Sequence, residues 1–217
     1  RVWRDRDEPA LRTLLERARA LGFTGVLIGN LGHLPLVRGL NFHLYGDYGL
    51  NVFNSRSLAY LKDKELESAC VSFELRFAQI RDLKKVLRAE AIVYGRLPLM
   101  ITENCLVQNE TGCRLDRQGP CVPEDGPCRC GQPNVLVDRT GAAFPLLPAY
   151  GHRTEIQNSK PLYLADRPEH RRLGLAYARL RFTTETAEEC VSVVQNYLDA
   201  APAAGDFTRG LYERGVE

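Results

Sequence analysis

The sequence predicts an α/β fold: a partial TIM-like (β/α) barrel, then a cysteine-rich loop, then a small α+β segment. Three observations predict it. Apolar runs centred near Val26, Leu44, Val71 and Ile92 recur about every twenty residues, most with a helical pattern between them. Runs of this kind, apolar throughout, suit parallel strands covered by helices on both faces. The rhythm then breaks after Met100, where five of the seven cysteines fall in one stretch rich in Gly and Pro.

Each element has its own signal. Residues 8–21 carry Leu11, Leu14, Leu15, Ala18 and Leu21 on one helical face, with Pro9 at the first turn and Gly22 as the stop. GVLIG (25–29) reads as a buried strand, HLYGD (43–47) as the next, and LNVFN (50–54) as another close behind. Residues 55–64 read as a short helix, ACVSFEL (69–75) as a strand, 77–87 as an amphipathic helix with Ile80, Leu83 and Leu87 on one side, and AIVYG (91–95) as a strand. Residues 134–151 look like a hairpin turning at Arg139-Thr140-Gly141. PLYLAD and LGLAYARLRFT supply two more strand candidates, the first of which could begin a helix instead. In residues 186–200, Thr186 and Glu189 form a capping box ahead of a helix. The domains expected are βα units over 1–100, the cysteine-rich metal-candidate loop over 101–134, and a completing α+β segment over 135–217.

Four or five βα units are too few to close a (β/α)₈ barrel. The chain opens without Met, and Val2 and Trp3 read as the end of a strand whose beginning is missing. The expectation is a piece of a longer protein, whose missing N-terminal part would be its first partner. With 217 residues, 44% hydrophobic and 26% charged, the chain can bury one sizeable core. A formal charge of +2 does not by itself point to a polyanionic partner and leaves a local basic surface open, and no apolar run is long enough for a membrane span. The start, RVWRDRDEPALR, is charged where a signal peptide is apolar. The odd cysteine count fits a reducing setting, so a cytoplasmic location is expected.

Cys105, Cys113, Cys121, Cys128 and Cys130 lie in a polar segment with too few apolar residues to order itself. Such a segment needs a metal, a cluster or disulfides, unless its thiols stay unlinked. The gaps of 7, 7, 6 and 1 residues match neither a CxxC zinc knuckle nor a ferredoxin run. His152, in YGHR, offers a nitrogen ligand from outside the segment. Cys70 and Cys190 sit in apolar regular segments and read as small core residues.

At YGRLPLMITENC (94–105) the chain resembles the U32 peptidase family of collagenase-like bacterial proteases. GNLGHL, GDYGLNVFNS, VSFELRFAQI, LVDRTGAAFPLLPAYGHRTEIQNSKPLYLAD and FTRGLYERGVE extend the resemblance over most of residues 20–217. It implies the second half of a barrel domain and a peptidase acting on peptides. Other members of the wider family hydroxylate tRNA, rRNA or a small aromatic precursor, using a four-iron four-sulfur (4Fe–4S) cluster. By that resemblance Cys105 and Cys113 match the first cluster ligands, and Cys121, Cys128 or Cys130 a third. Tyr163 and His152 stand where cysteines are expected; Cys128 or Cys130 could compensate, His152 could ligate directly as in Rieske-type centres, and zinc would tolerate the same mixture of Cys and His. Three readings follow: a peptidase, an iron–sulfur hydroxylase acting on RNA or a small molecule, and a zinc-stapled structural half-domain.

The catalytic candidates lie at strand ends. Glu74 follows a strand and reads as a general base or as a helix N-terminal carboxylate. Glu103, near Cys105, reads as an acid or base or as a loop charge. Tyr94 and Arg96 flank Gly95, and Arg96 reads as a carboxylate or phosphate binder or as a loop organiser. For Asp47, Asn51 and Asn54 a structural role is expected. His33, after a Gly-rich loop, is only a weak phosphate signal.

Overall fold

A computed structural model describes residues 2–111 and 132–216. Helix α1 (Glu8–Ala20) leads into β1 (Gly25–Ile28). The short α2 (Leu34–Val37), β2 (His43–Gly46), α3 (Ser55–Asp63), β3 (Leu66–Cys70) and α4 (Phe77–Asp82) follow. Then come β4 (Arg88–Gly95), β5 (Pro98–Thr102) and α5 (Leu106–Thr111). After the undescribed stretch lie β6 (Asn134–Val137), β7 (Ala143–Ala149), β8 (Arg153–Gln157), β9 (Leu162–Tyr163), β10 (Tyr177–Leu180) and α6 (Ala187–Asp199).

Strands β1, β2, β3, β4 and β10 form a parallel sheet in that order, with β9 antiparallel to the end of β4. The expected parallel sheet with helices is therefore present. Among the described residues it is open, with β1 and β10 at its edges, and a barrel remains an expectation. A second, antiparallel sheet runs β5-β8-β7-β6. The core lies against β3 and β4. Val52, Leu58, Val71, Ile80, Ile92, Leu162, Leu164 and Tyr212 are all essentially sealed from solvent. Tyr212, in the closing phrase of the chain, stacks on Phe77 at 5.3 Å and donates to the Ile92 carbonyl at 2.6 Å. Arg209 in the same phrase pairs both nitrogens with Asp166.

Several expectations are corrected. Residues 50–54 are not a strand. Tyr48–Leu50 is a 3₁₀ turn, Asn51 is left-handed at φ 48°, and Val52 alone bridges to Val71. Asn54 caps α3, accepting from the amides of Arg56 and Ser57 at 3.0 Å, so Asn51 and Asn54 serve turns as expected. The third strand begins earlier and ends at Cys70. The helix expected over 77–87 stops at Asp82, because Lys85 Nζ donates to the carbonyls of Ile80 (2.6 Å) and Arg81 (3.2 Å), closing its C-terminus. Val2 and Trp3 are in no strand. The segment after Cys105 starts as a helix, α5, and not as loop. The hairpin β6–β7 and the capping box of α6 are as expected.

Candidate active site at the mouth of the parallel sheet

Residues just past the C-terminal ends of parallel strands line one mouth of a sheet, where α/β folds place their sites. Register decides which side chains meet there. Gly46 pairs with Ala69 and Cys70 with Glu90, so Asp47, Cys70 and Glu90 share one face. Arg179 pairs with Ile92, two residues beyond Glu90, and joins that face. Its guanidinium contacts both carboxylates, Asp47 and Glu90. Burial pushes the Glu90 carboxyl above its ordinary range, against the pull of Arg179. Glu90 Oε1 is enclosed and has no aligned hydrogen bond. Burial also pushes the Cys70 thiol up to about 12, so it is an inert core thiol, as its apolar segment predicts.

A second polar layer lies above the first. Arg181 Nη1 donates to the Arg96 carbonyl and to Gln157 Oε1, both at 2.6 Å, and Nη2 reaches Glu155 Oε1 at 3.3 Å. Tyr48 Oη donates to the same Glu155 oxygen at 3.3 Å, and Gln157 Nε2 does so at 3.1 Å. Arg181 lies over the Tyr48 ring at 5.7 Å. This layer joins β8 of the antiparallel sheet to the strand ends of the parallel one.

The four catalytic candidates are not brought together into one cluster. Arg96 is close to the second layer through its carbonyl. Its Nη1 donates to the carbonyls of Asn158 (3.0 Å) and Ser159, which makes it an organiser of the β8–β9 turn. Tyr94 donates to Glu185 Oε1 at 3.2 Å inside an aromatic cluster with Tyr163, Phe182 and Tyr197. Burial first, then the Glu185 charge, raises its phenol, so it acts as a donor. Glu74 is half-buried in the turn between Val71 and α4, its amide donating to Ser72 Oγ at 3.3 Å. Glu103 lies apart, in the bend just past β5 of the antiparallel sheet. Arg153 grips it with Nε at 2.9 Å and Nη2 at 3.2 Å, and Arg4 also contacts it. The Arg153 hydrogen bonds, then those of Arg4, hold its carboxyl below the usual range.

Of the metal candidates, Cys113, Cys121, Cys128 and Cys130 lie outside the described residues. Cys105 is buried at the start of α5 against Val107, Leu146 and Ile156. His152 sits in the β7–β8 turn at φ 60°. Thr102 pairs with Thr154, and the Leu106 amide donates to Thr154 Oγ1 at 3.0 Å. The chain at Cys105 thus runs beside the start of β8, close in sequence to His152. Among the described residues no three His, Cys, Asp or Glu side chains converge on a common point. The described part therefore offers two candidate ligands at one end of the antiparallel sheet.

Sequence reasoning missed Tyr48, Glu155, Gln157, Arg179 and Arg181. A signal was available: Arg179 and Arg181 alternate within an apolar strand pattern, and Glu155 and Gln157 alternate beside Ile156. Charged and amide side chains at period two on half-buried strands need partners: Arg181, Glu155 and Gln157 are each other's, and Arg179 takes Asp47 and Glu90. A cavity of about 380 Å³ between β10 and α6, lined by Leu175, Ala178, Leu180, Val194, Tyr197 and Leu198, holds none of the predicted residues.

The model of Peptidase family U32 matches residues 1–135, more than half of the chain. No curated protein and no solved structure matches it. The chain belongs to Peptidase family U32. No helix among the described residues is long and apolar enough to cross a membrane.

Proposed function

We propose that this chain is part of a peptidase that hydrolyses peptide bonds at the mouth of the parallel sheet. The family match carries the reading, and it spans β1 to β5, including Asp47, Tyr48 and Arg96. The two polar layers support it, since they set carboxylates and guanidinium groups where a carbonyl and its attacking water would meet. Incubation of the purified protein with gelatin and casein peptides, read by mass spectrometry, is expected to show new termini. Peptides left intact under both aerobic and anaerobic conditions would sink the reading.

The placement of Cys105 beside the start of β8 favours a second reading. Here the cysteine-rich segment holds a 4Fe–4S cluster or zinc, with Cys105, His152 and the cysteines at 113, 121, 128 and 130 as the ligand pool. The substrate is then RNA or a small aromatic molecule for the cluster, and the segment is a staple for zinc. Elemental analysis with a visible spectrum on anaerobic protein separates these. Iron with a broad visible band supports the hydroxylase, and colourless zinc supports the staple.

A further inference from the structure

We infer that Glu155 is the general base of the proposed hydrolysis, an assignment that rests on the peptidase reading above. The geometry is that of a carboxylate with one oxygen fixed and the other left for chemistry. Oε1 takes all three hydrogen bonds, from Tyr48 at 3.3 Å, Gln157 at 3.1 Å and Arg181 at 3.3 Å. These donors come from three parts of the chain, so the plane of the carboxylate is set by the fold. Arg181 is itself fixed by the Arg96 carbonyl and Gln157, which makes the clamp rigid. Among the described residues no donor reaches Oε2, and that oxygen is not among the enclosed, unpartnered atoms. The side chain as a whole is only 14% exposed.

The other carboxylates near the mouth are arranged differently. Both oxygens of Glu185 are taken, by Tyr94 and by the amides of Thr183 and Thr184. Glu90 Oε1 is enclosed against Arg179. Asp47 is held through Oδ1 by the same guanidinium.

In the step assigned, Glu155 Oε2 takes a proton from water as the water oxygen bonds to the scissile carbonyl carbon. The π pair of the carbonyl moves to its oxygen. When that pair returns, the carbon–nitrogen bond breaks and the proton passes from Glu155 to the leaving nitrogen. One water is consumed, a carboxyl and an amine are released, and the carboxylate is restored. Tyr48, Gln157 and Arg181 are positioning residues in this scheme.

The test is the pH profile of peptide hydrolysis for the wild-type chain, Glu155→Gln and Glu155→Asp, with thermal melting of each. Glu155→Gln keeps the volume and an acceptor for the clamp. It is expected to lose about 10²-fold or more in kcat/KM, and the acidic limb of the profile, with its melting temperature retained. Glu155→Asp is expected to act slowly but to keep the acidic limb, which holds the test open if the glutamine variant fails to fold. Wild-type rate with an unchanged acidic limb in Glu155→Gln, or wild-type rate in Glu155→Asp, would overturn the assignment and leave the peptidase reading standing. Absence of hydrolysis by the wild-type chain would remove that reading and this assignment with it.

Discussion

Glu90 and Glu103 show how one residue type takes opposite electrostatic roles. Burial raises the Glu90 carboxyl above its reference value of 4.5, so the folded chain holds that proton more tightly than the unfolded chain does. Its contribution to stability is therefore most favourable below the unfolded value. It declines as pH rises from there through the folded value, and is constant above. Glu103 runs the other way, since Arg153 and Arg4 lower its carboxyl. Its contribution is present above 4.5 and is lost as pH falls through the folded value. Glu90→Gln isolates the first effect. The melting temperature of the wild type minus that of Glu90→Gln should rise as pH drops from neutral into the carboxylate range. A difference independent of pH would show that Glu90 does not titrate in the fold as assigned. Neither role was legible in the sequence, because both depend on which arginine lies opposite, and Arg179 and Arg153 are distant in the chain.

At the scale of elements, β4 carries the geometry of the mouth. Its register with β10 slips between Arg179 and Leu180, so that Leu180 pairs with Tyr94. Gly95 then turns at φ 114°, and a Cβ there would lie 2.0 Å from the Arg181 carbonyl oxygen. Glycine is needed both for the backbone angle and for that close approach. Gly95→Ala is expected to cost about 3 kcal/mol of unfolding free energy in urea, through overpacking against a backbone that cannot yield. A loss below about 1 kcal/mol would mean that β10 can move aside at little cost. The strand AIVYG was visible in the sequence by its apolar run. The slip was not, since nothing local in either strand marks it. The shortened α4 teaches the same point. Leu83 and Leu87 continue the apolar helical pattern, yet Lys85 caps the carbonyls and Ser55 Oγ receives the Lys84 amide at 2.8 Å, which redirects the chain into β4.

For the whole molecule, the question is what holds the antiparallel sheet and the first residues in place. Arg153 is the hub. It is 3% exposed, grips Glu103, and donates to the carbonyls of Tyr150 at 3.1 Å and Val2 at 3.4 Å. Arg153→Ala removes the buried guanidinium that ties Glu103 to the carbonyls of Tyr150 and Val2 and, among the described residues, leaves Glu103 with Arg4 alone. Limited trypsin digestion should then cut faster at Arg4 and Arg6, while the core around Ile92 keeps its protection. Equal cutting rates would show that the N-terminal residues are held by something other than this clasp. A clasp of this kind joins residues about 150 positions apart and has no signature in spacing or periodicity.

The sequence by itself determined the α/β class, the order of most strands and helices, the capping of α6 and the family. These follow from local periodicity, turn chemistry and quoted phrases, which a chain carries in contiguous residues. The tertiary structure decided the rest: that the mouth is built from Asp47, Glu90 and Arg179 beneath Tyr48, Glu155, Gln157 and Arg181; that Glu103 is a clasp; and that Arg96 serves a turn. The reason is physical. A lone charged residue in a strand states only that it needs a partner, and strand register together with the packing of one sheet against the other chooses which partner it meets.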